Sequence, residues 1–201
     1  MATYDIPNGI RVADSRFGLQ SNTNVFTDPF TRSTQTIEYT GARWVATYTL
    51  TAYRQDEAGA IQAFLVKLRG GANRFRGYDP DRKRPNGVGT GTPLVDGGAQ
   101  TGNTLNTKGW TANVNGLLLP GDYFTVNDEL KMVTDFVNSD GSGDAAISFE
   151  PSLRSSPSDN AALTLEKAYA VMRLVDDDQA QWQGDKNSNI QISFTGVEVF
   201  S

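Results

Sequence analysis

Apolar and polar residues alternate along much of this chain with the period of a β-strand. Residues 43–50 place Trp44, Ala46, Tyr48 and Leu50 on one face, and 34–39 form a second strand candidate joined to them at Gly41. Toward the C-terminal end, 190–200 alternates Ile190, Ile192 and Phe194, then changes phase to Val197 and Val199 around Gly196. A bulge at that glycine would account for the change. One segment departs from the period of two. Over 55–69, Ile61, Phe64, Leu65 and Leu68 recur at helical spacing. Asp56 and Glu57 stand in its first turn and Lys67 and Arg69 in its last, each complementing the helix dipole. Gly70 and Gly71 supply the stop. A second, short helix is predicted near 161–168.

The middle of the chain has a different texture. Glycine, threonine and asparagine dominate 85–108, which reads as a loop or linker. Beyond it, 116–126 and 130–137 are strand candidates around an Asn127-Asp128 turn. A further turn from Ser139 to Asp144 leads into a third strand at 145–149. Together they make a β unit of roughly 50–65 residues, small for a free-standing domain and reasonable as an insertion. The expected architecture is mainly β with one clear α-helix. A discontinuous β-sandwich or barrel from 1–84 and 165–201 would carry a small inserted β domain, 85–164. No internal repeat is found.

Composition narrows the chemistry. The 201 residues include no cysteine and no histidine. That removes disulfides, thiol nucleophiles, thiolate and imidazole metal sites and the Ser-His-Asp triad. Carboxylate, lysine or tyrosine chemistry remains, and a glycosidase would need two carboxyl groups about 5–9.5 Å apart across a cleft. No run approaches the roughly 20 apolar residues of a membrane span, and the N-terminal residues lack a signal-peptide pattern. Synthesis and folding in a cytoplasm are therefore expected.

Net charge is −5, unevenly spread. Residues 54–84 hold eight of the 18 basic side chains, Arg54, Lys67, Arg69, Arg74, Arg76, Arg82, Lys83 and Arg84, against four acids. Arg74-Phe75-Arg76-Gly77-Tyr78 has the look of a nucleic-acid surface, but an acidic chain steers nucleic acid poorly. A subunit interface is the better reading, with Arg74, Arg76, Arg82, Lys83 and Arg84 as one side and the run Asp176, Asp177, Asp178 as the other. Asp140 and Asp144 are spaced like the opening of a calcium loop, yet lack its further acidic ligands, so a solvated β-turn is favoured over an ion site. The glycines at 87, 89, 91, 97, 98 and 102 match no phosphate-loop pattern. Trp44, Trp110 and Trp182 fit core or interface positions better than a sugar site; Trp110 with Tyr123 is the one candidate carbohydrate contact. No cofactor is implied.

A serial pattern resembles a known family. Gln62-Ala-Phe-Leu-Val-Lys-Leu-Arg-Gly70 is followed by Arg74-Phe-Arg-Gly-Tyr-Asp-Pro80 and by Gly98-Ala-Gln-Thr-Gly-Asn-Thr-Leu-Asn-Thr-Lys-Gly-Trp110. Leu119-Pro-Gly-Asp-Tyr-Phe124, Asp140-Gly-Ser-Gly-Asp144 and Pro151-Ser-Leu-Arg154 come next. In order and spacing, over about 25–200, these resemble distal tail proteins of long-tailed bacteriophages. Arg54 departs from the pattern, standing where a hydroxyl residue would cap the helix. The resemblance implies a structural virion protein of the tail tip. Such proteins form a ring, typically a hexamer, that joins tail-tube protein to tip or baseplate-hub proteins and lets DNA pass without specific binding. By this resemblance, 1–84 with 165–201 is the ring domain and 85–164 projects outward. An acidic channel would keep DNA from adhering. Tail tube, tail terminator and host-carbohydrate-binding module of the tail tip are the alternative roles.

Overall fold

The computed structural model describes residues 1–51, 53–186 and 189–200; the side chains of Gln55 and Asp56 also lie outside it, as does Ser201, the last residue of the predicted ring-forming span. The chain is mainly β with one α-helix. Its first part forms β1 (Thr3–Asp5), β2 (Val12–Gln20), β3 (Thr23–Thr27), β4 (Thr34–Glu38), β5 (Arg43–Leu50) and β6 (Tyr53–Arg54). Helix α1 (Gln55–Leu68) and β7 (Arg74–Tyr78) follow. The middle supplies β8 (Gly91–Val95), β9 (Gly102–Trp110), β10 (Tyr123–Val126), β11 (Glu129–Val133) and β12 (Ala145–Leu153). The chain ends with β13 (Tyr169–Leu174), β14 (Gln183–Gly184), β15 (Asn189–Gln191) and β16 (Ser193–Glu198).

Two large sheets divide these strands. A six-stranded sheet runs β1-β7-β13-β16-β5-β2, and a five-stranded sheet runs β10-β11-β12-β9-β8. The first draws every strand from 3–78 and 169–198, the second only from 91–153. Two small sheets complete the set, β14-β15-β6 and the hairpin β3-β4.

The alternation in β5 has a direct consequence: Trp44, Ala46, Tyr48 and Leu50 are all buried. Helix α1 lays Ala58, Ile61, Phe64, Leu65 and Leu68 onto the same core. Phe64 meets Phe75 and Phe194 edge-on, with ring centroids 5.9 and 6.3 Å apart. These T-shaped contacts suit the ring quadrupoles and fix how the helix crosses the sheet. Arg54 is the N-cap residue and makes no side-chain capping bond, while Arg69 itself takes the left-handed C-cap conformation ahead of Gly70. A second core, with Val95, Leu105, Trp110, Leu117, Phe124, Ile147 and Phe149, lies within the middle segment.

Four expectations need correction. Residues 85–108 are not a linker, because β8 and most of β9 lie there. Their glycines permit close backbone approach: a Cβ on Gly91 would sit 2.6 Å from the Gly109 carbonyl oxygen, and one on Gly109 would sit 2.6 Å from that of Thr92. Residues 161–168 form no helix. Ala161, Leu163 and Leu165 face the second core with a period of two, and Ala162 and Thr164 bridge to Leu94 and Thr125. No bulge occurs at Gly196, since β16 keeps register with β5 from Ser193↔Thr49 to Val197↔Val45. The apparent phase change arises because Gly196, Val197 and Glu198 are all buried, so both faces of that strand end are covered. Finally, the strands predicted at 116–126 and 130–137 are shorter, β10 covering only Tyr123–Val126 and β11 ending at Val133.

Candidate assembly surfaces

Three of the strip's eight basic side chains, Arg76, Arg82 and Arg84, are committed within their own chain. β7 presents Arg74 and Arg76 on its half-exposed face while Phe75 and Gly77 point into the core. Arg76 Nη1 donates to Asp5 Oδ1 at 3.0 Å, and its guanidinium lies over the Tyr169 ring. The Asp5 carboxylate and the Tyr169 hydroxyl together hold Arg76 above its ordinary pKa, against the effect of partial burial. Arg82 Nη1 donates to the Gly121 carbonyl, and Arg84 binds Glu166 Oε1 through Nη2 at 3.1 Å and Nε at 3.3 Å. Residues 74–84 thus act as a strap tying β1, the turn before β10 and the return toward β13. Among the described residues, Arg74 and Lys83 keep side chains with no polar partner; Lys83 is exposed, and its carbonyl accepts the Lys167 N–H at 2.7 Å.

The acidic run reaches only the backbone of the strip, and among the described residues none of its three carboxylates pairs with a basic side chain. Asp177 Oδ1 accepts the Gly71 N–H at 3.1 Å, just beyond α1, while Asp176 and Asp178 remain exposed. Asp140 closes its own turn, accepting the N–H groups of Ser142 at 2.8 Å and Asp144 at 2.9 Å. Those two backbone donors hold its carboxyl below the usual range.

Neither candidate carbohydrate ring has a free face. Trp110 is buried in the second core with Nε1 donating to Thr107 Oγ1 at 2.7 Å. Tyr123 is buried against Phe17 and Trp44, with centroids 6.0 and 5.6 Å away. Strand alternation alone cannot tell a sugar-stacking ring from a core ring, and here the core takes both. Trp182 is exposed.

Two features were not anticipated. The first is a buried ionic network where the two large sheets meet. Lys131, fully buried on β11, donates to Glu129 Oε2 at 2.7 Å and to the Ser152 carbonyl at 2.8 Å. Glu129 also accepts the N–H groups of Arg154 and Ser155. Burial pushes the Glu129 carboxyl up, but Lys131 and these N–H donors outweigh it and hold it below the usual range. Burial in turn pushes Lys131 down, with Glu129 offsetting part of the effect. Arg154 then crosses to β16 and grips Glu198, whose Oε2 also accepts the Trp44 N–H at 2.9 Å. Two acids and two bases balance, as burial of charge requires. A sequence signal existed: Glu129 and Lys131 are opposite charges two apart on one strand face.

The second feature is the hairpin of β3 and β4. None of its strand residues is buried. Near its root a cleft of about 1020 Å³ opens between β2, β12 and the C-terminal residues, lined in part by Leu19, Tyr39, Ser152, Leu153 and Phe200. Compared with known proteins, the chain matches no protein-family model and no curated protein.

Proposed function

We propose that this chain is a non-enzymatic structural protein of a phage tail tip, a ring-forming adaptor between tail-tube protein and the tip or hub proteins. The observation that carries the reading is the partition of the sheets. The six-stranded sheet is built by the two ends of the chain, and the five-stranded sheet by the stretch between them. That arrangement suits a ring domain carrying an inserted β unit, the organisation implied by the sequence resemblance. The buried ionic network supports it by holding the inserted sheet in one orientation, as an adaptor transmitting geometry between neighbours requires.

A ring needs heterologous contacts that close by rotation. In this reading the partners are further copies of the chain, the tube protein above and the hub below, and DNA passes through without specific contacts. The place of action is the virion tail tip, after assembly in the bacterial cytoplasm.

The test is end-on electron microscopy of the purified protein, with mass spectrometry of intact particles. Closed rings and a copy number matching one ring per tail support the adaptor. A copy number of many rings makes the chain a tube protein instead, and a protein that never forms rings overturns the reading.

A further inference from the structure

The hairpin β3-β4 leaves its apolar side chains uncovered. Phe26 is 52% exposed, Ile37 45% and Phe30, at the tip, 94%. Among the described residues its strands pair only with each other, from Thr23↔Glu38 to Thr27↔Thr34. Phe26 and Ile37 share one face, being paired with Gln35 and Asn24 respectively. A lone two-stranded hairpin is marginal in water, and single exposed apolar residues are ordinary where a cluster of them is not.

We infer that this hairpin is an assembly arm that seats Phe26 and Phe30 in the cleft beside Ser152 and Leu153 of a second copy of the same chain. The inference rests on the ring reading above for its partner and deepens it. Three observations favour a second copy as the occupant. The chain carries both the projecting apolar arm and an open cleft partly lined by Leu19, Leu153 and Phe200. The cleft is also lined by Tyr39, Thr40 and Gly41, the arm's own root, while the arm's tip stays exposed, so the arm does not fill its own cleft. Head-to-tail exchange of arm into cleft is a heterologous contact, the kind that builds rings.

Area points the same way. The chain exposes 11144 Å² at 21.8 kDa, where a compact monomer of that mass exposes about 9,250 Å². The surplus is roughly 1,900 Å², enough for two patches of the ~800 Å² that a standard interface takes from each partner. A ring member needs two such patches, one toward each neighbour. Charge opposes the contact only weakly: from Thr23 to Glu38 the arm carries two acids, Asp28 and Glu38, and one base, Arg32, in a chain of net charge −5.

The test uses the full chain. In Phe26→Ser/Phe30→Ser/Ile37→Ser the concentration at which the protein self-associates, read by analytical ultracentrifugation, rises about tenfold or more. Its circular dichroism and unfolding midpoint stay those of the parent, because these side chains belong to neither core. A second probe exploits the absence of cysteine. Phe30→Cys and Ser152→Cys chains, prepared separately and mixed under mild oxidation, give a disulfide-linked heterodimer on a non-reducing gel. Unchanged association of the triple variant, or no heterodimer from the mixture, overturns the arm while leaving the ring reading intact. A parent chain that stays monomeric at every concentration overturns both.

Discussion

Arg154 and Glu198 meet as a two-pronged pair, guanidinium Nη1 2.9 Å from Oε1 and Nη2 2.9 Å from Oε2. Glu198 is almost wholly buried on the six-stranded sheet, and Arg154 follows the last strand residue of β12 in the five-stranded one. The same guanidinium donates to the Ala42 carbonyl at 2.6 Å and lies over Phe200 at 3.7 Å. One side chain therefore holds the two sheets in register. Removing only the carboxylate leaves a half-buried cation and the Trp44 N–H without an acceptor. Glu198→Ala and Arg154→Met are each expected to cost about 3–5 kcal/mol in urea unfolding, because either leaves one charge of the pair unmatched, and Arg154→Met leaves the more deeply buried one. If the two cost the same small amount, the pair does not hold the sheets together.

Stability should be flat through neutrality and fall only in acid. Without histidine no unperturbed side chain titrates between about pH 5 and 8. On the acid side, several carboxyls are held below their ordinary range. The Phe30 and Thr31 N–H groups hold Asp28, those of Asp144 and Ser142 hold Asp140, and the Gly97 N–H and then Lys108 hold Asp159. Each binds its proton more weakly folded than unfolded. The stability it lends is thus present above the unfolded value, about 4, and is lost as pH falls through the lower folded value. The melting temperature should hold from pH 8 to about 5 and drop below about 4. Asp140→Asn keeps an acceptor oxygen for the two N–H groups without the charge, so its acid decline should be shallower. A melting transition centred near pH 6.5 would contradict this account.

Two glycines of the main core make a paired test of packing. A Cβ on Gly196 would lie 2.5 Å from Phe75 Cζ, inside a cluster where Phe75 already touches Phe64 and Phe194. A Cβ on Gly77 would lie 2.5 Å from Met172 Sδ, near the end of an unbranched side chain that can turn aside. Gly196→Ala should cost about 1–3 kcal/mol and Gly77→Ala less, by chemical denaturation. Adding Phe75→Leu to Gly196→Ala should recover part of the loss.

Local signals carried much of the fold into the sequence. β5 spans 43–50 as its alternation requires, and the Asn127-Asp128 turn has positive φ at both residues, 51° and 61°, as a tight hairpin demands. What stayed hidden depends on distant partners. Gly91 and Gly109 look like linker glycines until each is seen against the other strand's backbone. Glu198 gains its role from Trp44, 154 residues away, and from Arg154. Arg76, Arg82 and Arg84 form a charge strip in sequence, but Asp5, Gly121 and Glu166 claim them in space. The arm was legible only as a strand; its exposure follows from having no neighbour, which no local pattern encodes.

Ala99 adopts a left-handed φ of 61° on an exposed turn between β8 and β9. That conformation crowds a Cβ against the backbone and is natural to glycine. Ala99→Gly should therefore stabilise the fold by about 0.5–1 kcal/mol, even though glycine raises the entropy of the unfolded chain. The unfolding midpoint of the single variant measures it, and a loss of stability would mean that the turn does not hold this conformation in solution.

Lys83 is the residue that separates assembly from internal structure in the basic strip. Its side chain is exposed and has no polar partner among the described residues, whereas Arg84 is bound to Glu166. Lys83→Glu should leave the unfolding midpoint within about 0.5 kcal/mol of the parent, as a surface change away from any contact does. If charge sets the register between neighbouring copies, the same substitution should weaken ring formation at low salt, and the difference from the parent should shrink as salt rises. Arg84→Glu is the control that behaves differently. It sets a like charge against Glu166 within one chain and should lower the midpoint of the isolated protein. Rings forming equally well from the Lys83→Glu chain at low salt would mean that apolar contacts alone set the register, and would leave the internal bonds of Arg76, Arg82 and Arg84 as the strip's contribution.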